Sequence, residues 1–240
     1  MTKFKRITTV MAAALLSLLA AAVGPAKSPH LFNNIDQVAM NQWVDSVFNS
    51  LSPEARIGQL IVADITPKSN DAVRDQVRRL VEKNLVGGLI YEKSTIAEQA
   101  EVTNLAQSLA AVPLMITIDG EWGLGMRLKE VPNFQRNLIL GALDDDQLLY
   151  EYGREVARQC RRMGIQVNFA PVLDVNDNPL NPVIGDRSFG ESPELVARHA
   201  IAFARGLEDG GVMAVGKHFP GHGSSSEDSH KTLPVINKTM

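Results

Sequence analysis

The chain has 240 residues, 45% of them hydrophobic and 21% charged, and a formal net charge of -3. That composition supports a buried core, and no basic block follows the first few residues, which excludes a nucleic-acid partner because phosphate binding needs clustered Lys and Arg. The single cysteine, Cys160, excludes a disulfide framework and a thiolate metal site; in "RQCRRMG" it reads as a half-buried structural thiol on a helix.

Lys3, Lys5 and Arg6 precede the apolar run "VMAAALLSLLAAAV" (Val10 to Val23), and Pro25 follows it. A basic start, a short apolar segment and small residues at the exit describe a secretory signal peptide over residues 1–25. The run falls short of the ~20 residues that span a bilayer, so export to the periplasm or the medium is expected, with no membrane span after leader removal. The competing reading is a buried apolar helix.

"NQWVDSVFNSLSPEARIGQL" carries Trp43, Val47, Phe48 and Leu51 at helical spacing, and Ser52–Pro53–Glu54 opens a second short helix. "QLIVADI" (Gln59 to Ile65) then reads as a buried strand. The alternation continues with a helix in "DAVRDQVRRLVEKNL", a strand in "VGGLIY" (Val86 to Tyr91) and a helix in "TIAEQAEVTNLAQSLAA". "PLMITID" (Pro113 to Asp119) is a strand ending in an acid. A loop leads to a long helix, "DDDQLLYEYGREVARQCRRMG", and a strand, "IQVNFAPVLDV" (Ile165 to Val175). Ser192 and Pro193 start the last helix, which runs into a fifth strand, "VMAVGKHFPG".

Strand–helix alternation with near-continuous apolar strands predicts a parallel sheet covered by helices. An open doubly wound sheet and a (β/α)8 barrel both satisfy it. Asp64, Asp119, Asp174 and the pair Lys217–His218 fall at strand C-terminal ends, where either form places its site. No G-x-G-x-x-G follows the first strand, which favours the barrel. Five strand–helix units are fewer than the eight a barrel closes with, so an incomplete N-terminal portion over residues 26–240, truncated at its C-terminal end, is expected.

"GKHFPGHGSSSEDSHKTLP" (Gly216 to Pro234) holds three of the five histidines. Pro220 and Gly221 lie between His218 and His222, so the zinc-helix pattern H-E-x-x-H fails, although a loop could still gather His218, His222, Asp228 and His230 around zinc. A solvated Gly/Ser-rich loop is the plainer alternative. Against it, Asp228 and His230 stand at i and i+2, which in extended backbone puts both on one side. An acid beside an imidazole sets its tautomer for acid/base work near neutrality. Because Lys217 and His218 are adjacent, only a bulge or bend turns both inward.

"KHFPGHG" followed by "DSH" and "LP" resembles bacterial glycoside hydrolase family 3 enzymes of the β-N-acetylglucosaminidase type. "WVDSVFNSLSPEARIGQLIV", "PLMITIDGEWGLGMRL", "NFAPVLDV" and "GDRSFG" match that family's blocks in order. The resemblance implies a (β/α)8 barrel and hydrolysis, with retention, of terminal β-linked N-acetylhexosamine. It implies no cofactor, and a carbohydrate partner such as an N-acetylglucosamine-containing glycan or muropeptide. It matches Asp119, Arg127, Arg187, Lys217 and His218 to sugar-binding positions, His230 to the acid/base and Asp228 to its partner. An Arg187–Asp186 ion pair and a solvated Arg127 are the plain alternatives. The family's nucleophilic aspartate would lie beyond Met240, so the chain as given is expected to be inactive. "DGEWG" places Trp122 where the family commonly has glycine, and the indole either stacks on a sugar or fills space between loops. A non-catalytic sugar-binding scaffold and a β-glucosidase remain the competing functions.

Overall fold

The structure, a computed structural model, describes residues 35–143 and 145–236. The leader read over residues 1–25 lies outside them. Among the described residues two helices come first, α1 (Gln37–Ser50) and α2 (Pro53–Gly58). Asp36 caps α1 by accepting from the Val38 and Ala39 amides, and Ser52 caps α2 with Pro53 in its first turn. The alternating part runs β1 (Val62–Ile65), α3 (Asp71–Glu82), β2 (Gly88–Tyr91), α4 (Ile96–Leu109) and β3 (Met115–Ile118). A short α5 (Asn137–Gly141) precedes α6 (Asp146–Arg162), β4 (Val167–Asn168), α7 (Pro193–Asp209) and β5 (Met213–Ala214). The caps follow the sequence closely: Asn70 for α3, a Thr95–Glu98 capping box for α4 and Ser192 for α7.

The sheet is parallel throughout and ordered β1-β2-β3-β4-β5, each strand beside its successor in sequence. A doubly wound sheet reverses direction at a switch point. No reversal occurs among the described strands, so the architecture is an incomplete (β/α)8 barrel. Ile65, Leu89, Tyr91, Ile116 and Ile118 from the strands pack on Val77, Val102, Val156 and Phe203 from the helices. Helices α6 and α7 approach closely at Gly153 and Gly206, where a Cβ would come within 2.3 Å of the Phe203 carbonyl oxygen and 2.1 Å of the Tyr150 carbonyl oxygen respectively. Cys160 is fully buried rather than half-buried, and burial pushes its thiol up to about 12, which makes it inert.

Three expectations are corrected. The fourth and fifth strands are two residues each, not the long runs read from 165–175 and 212–221. Pro171 and Pro220 have no N–H to offer a ladder, and beyond the short pairing only one bridge, Val172 to Lys217, continues it. The loop after β3 contains α5 and a 3₁₀ turn at Leu124–Met126. The apolar stripe of α1 buries no residue: Trp43 and Phe48 remain about half exposed, beside Ile57 and Leu60 of the next segment.

Candidate active site

The polar residues at the strand ends converge on one cleft of about 640 Å³. Its floor starts with Asn168 of β4, a fully buried side chain that no local pattern marked. The Asn168 amide accepts from the Gly120 N–H (2.8 Å) and donates to the Gly120 carbonyl (3.1 Å). This clamp fixes the peptide between Asp119 and Glu121, and so aims both carboxylates.

Asp119 accepts from Lys217 Nζ at 2.7 Å and from Arg127 Nη2 at 2.8 Å. Glu121 is buried and accepts from Arg187 Nε (3.0 Å) and Nη2 (2.8 Å), while Lys217 Nζ stands 2.7 Å away. Arg127 also pairs with Glu92, just past β2, at 3.1 Å. The side chains of Asp174 and Glu121 are both wholly shielded from solvent. Asp174 accepts from the His218 ring Nδ1 and from the backbone amides of His218 and His222.

Burial is the largest influence on the Asp119 carboxyl and pushes it up. Hydrogen bonds and charge from Lys217, then Arg127, outweigh it and hold the group below its ordinary range. For Glu121, burial again acts upward and loses to Arg187 and Lys217. Arg187 shows the converse: burial lowers it, but Glu121 raises it more, so its charge is locked on. Asp119, Glu121 and Arg187 therefore stay ionised at neutral pH, preorganised acceptors and donors with fixed directions.

Asp228 and His230 sit at the rim of this cleft. His230 Nδ1 lies 2.7 Å from Asp228 Oδ1, and the imidazole is largely exposed. A turn, not extended backbone, brings them together: Asp228 Oδ1 accepts the His230 amide and the Asp228 carbonyl accepts those of Lys231 and Thr232. The His230 backbone and side-chain hydrogen bonds lower the Asp228 carboxyl, so it stays ionised and, as an acceptor, assigns the proton on Nδ1. Nε2 is then the working nitrogen.

The seven residues that the resemblance matched to functional positions meet here: Asp119, Arg127, Arg187, Lys217 and His218 in the interior, Asp228 and His230 at the rim. Lys217 and His218 both serve the cleft, and the peptide bond joining them is cis. Arg187 pairs with Glu121 rather than Asp186, and Arg127 is paired rather than solvated. Asp64 stays exposed on β1 and does not line the cleft. His218, His222, Asp228 and His230 do not gather as a metal-ligand set among the described residues. Glu121 and Asn168 escaped the sequence reading. An acid two places after Asp119 was the available signal for Glu121; Asn168 had none.

A barrel mouth lined by opposed donors and acceptors suits a polyhydroxylated ligand, since each hydroxyl both donates and accepts. The chain belongs to glycosyl hydrolase family 3: the family described as "Glycosyl hydrolase family 3 N terminal domain" matches residues 53–240. The curated protein named beta-hexosaminidase LpqI of Mycobacterium tuberculosis is 37% identical over 202 residues, covering 78% of this chain and 48% of that one. A solved family 3 beta-N-acetylglucosaminidase from Paenibacillus is 41% identical with a TM-score of 0.70, over 78% of this chain and 36% of that one. The beta-glucoside phosphorylase BglX superposes with a TM-score of 0.74 at 28% identity, over 82% of this chain and 35% of that one. The chain therefore spans about half the length of the curated relatives it matches.

Proposed function

We propose that this chain forms part of an exported β-N-acetylhexosaminidase that removes terminal, non-reducing β-linked N-acetylglucosamine with retention. The Asp228–His230 pair at the rim of the charged cleft carries this reading. In the glycosylation step, His230 Nε2 gives its proton to the departing glycosidic oxygen as the C1–O bond breaks. In the second step the neutral imidazole takes a proton from the attacking water. Asp228 holds the imidazole in the required tautomer and stabilises its cationic form. Asp119, Arg127, Arg187 and Lys217 grip the hydroxyls of the sugar, and the binding energy is directed at orientation.

Retention also needs a carboxylate to attack C1. The cleft acids are poor candidates, because Asp119 and Glu121 are each held by two cations and Asp174 by three donors. The resemblance assigns that role to an aspartate outside these 240 residues. The names of beta-hexosaminidase LpqI and the Paenibacillus enzyme, at 37% and 41% identity, support the N-acetyl substrate over the glucoside named for BglX at 28%. An N-acetylglucosamine-containing wall fragment is the proposed natural glycan, consistent with export by the segment Val10–Val23. Among the described residues no helix is long and apolar enough to cross a membrane.

The test is His230→Ala in the full-length protein, assayed on an aryl N-acetyl-β-glucosaminide. Turnover is expected to fall about 10²–10⁴-fold, with the melting temperature unchanged. Unaltered turnover removes the mechanism.

A further inference from the structure

Trp122 is a residue of the cleft that neither the paired-charge cluster nor the dyad uses. It is only part-buried and it lines the cleft, so it is not a filler sealed between loops. The Arg136 guanidinium lies over its ring, 3.7 Å from the centroid. Arg136 reaches in turn to Asp186, with Nη1 3.6 Å from Oδ1. Asp186 adjoins Arg187, and Trp122 adjoins Glu121. The two loops are thus tied twice: inside by Glu121 and Arg187, and near the surface by Trp122, Arg136 and Asp186. The indole is thus held on the same pair of loops that the Glu121–Arg187 pair joins.

We propose that Trp122 is a stacking platform of this cleft, presenting its indole to the C–H face of a pyranose whose hydroxyls are held by the buried cluster, with Arg136 fixing the ring from the other side. The proposal rests on the reading of the cleft as a sugar site. A pyranose has an apolar face of axial hydrogens, and a rigid aromatic surface buries it at little entropic cost, while the cation on the ring restricts the indole to one orientation.

In the full-length protein, calorimetric titration with N-acetylglucosamine and with glucose reads the dissociation constants. The difference in emission between the parent and Trp122→Phe isolates Trp122. Saturating sugar is expected to change that emission. Trp122→Ala should weaken binding about tenfold and Trp122→Phe about two- to threefold, with Arg136→Leu between the parent and the Ala variant. Unmoved Trp122 emission at saturation, an unchanged constant in Trp122→Ala, or failure of both sugars to bind overturns the proposal. Should the Ala variant not fold, unchanged constants in Trp122→Phe and Arg136→Leu overturn it instead. Stacking needs no acetamido group, so equal binding of the two sugars with a Trp122 response would defeat the N-acetyl substrate reading and leave the platform standing.

Discussion

The cleft contains two kinds of carboxylate pair, one with cations and one with an imidazole, and they differ in nearly every physical respect. Glu121 is sealed from solvent and shared by Arg187 and Lys217, cations brought from 66 and 96 residues further along the chain. Asp228 holds His230 two residues away, in a turn at the surface. The first pair is part of the tertiary structure: removing it disturbs the fold. The second is local, and its imidazole is open to solvent. Binding groups need fixed charge and fixed direction; a proton-transfer group needs access and a charge that can change.

The contrast predicts opposite mutational signatures, and the largest is in stability. Glu121→Ala removes the carboxylate that Arg187 grips through two nitrogens, while Lys217 keeps Asp119, and should destabilise the protein by about 3–5 kcal/mol in chemical unfolding, since a largely buried charge stripped of its partner is costly. A loss under about 1 kcal/mol would mean that solvent reaches the pair and that the distinction fails. A smaller effect is expected from acid. Both Asp119 and Glu121 are held below their ordinary values of 3.8 and 4.5, so the stability they contribute is fully present above about pH 4.5. It is lost as the pH falls through their depressed values, and urea midpoints followed from pH 6 to pH 2 should drop only in the acid part. Glu121→Gln should flatten part of that limb; an identical acid profile would place the acid sensitivity elsewhere. The smallest stability change belongs to Asp228→Asn, where the melting temperature should not move. Turnover should nevertheless fall, by less than in His230→Ala, because an amide can present the wrong group to Nδ1. A Asp228→Asn variant that melts early would show the dyad to be structural.

The same division separates what could be read from the chain and what could not. Ser52, Asn70, Thr95 and Ser192 cap their helices through backbone amides three residues on, and Asp228 meets His230 within one turn. Apolar periodicity gave the five strands and their helices, because strand and helix periods are written into neighbouring positions. Those interactions close inside a few residues, so the sequence alone determined them. The ordered blocks of the resemblance placed Arg127, Arg187 and Lys217 in one site, but not on which acids.

That choice belongs to the tertiary structure. Asn168 clamps Gly120 from 48 residues away, Glu121 rather than Asp186 receives Arg187, and Arg136 lies over Trp122. The lengths of β4 and β5 also depended on how two proline-bearing segments met across the sheet, which neither segment specifies alone. Each of these partnerships pays a loop-closure entropy that only the assembled sheet offsets, so no local pattern could announce it.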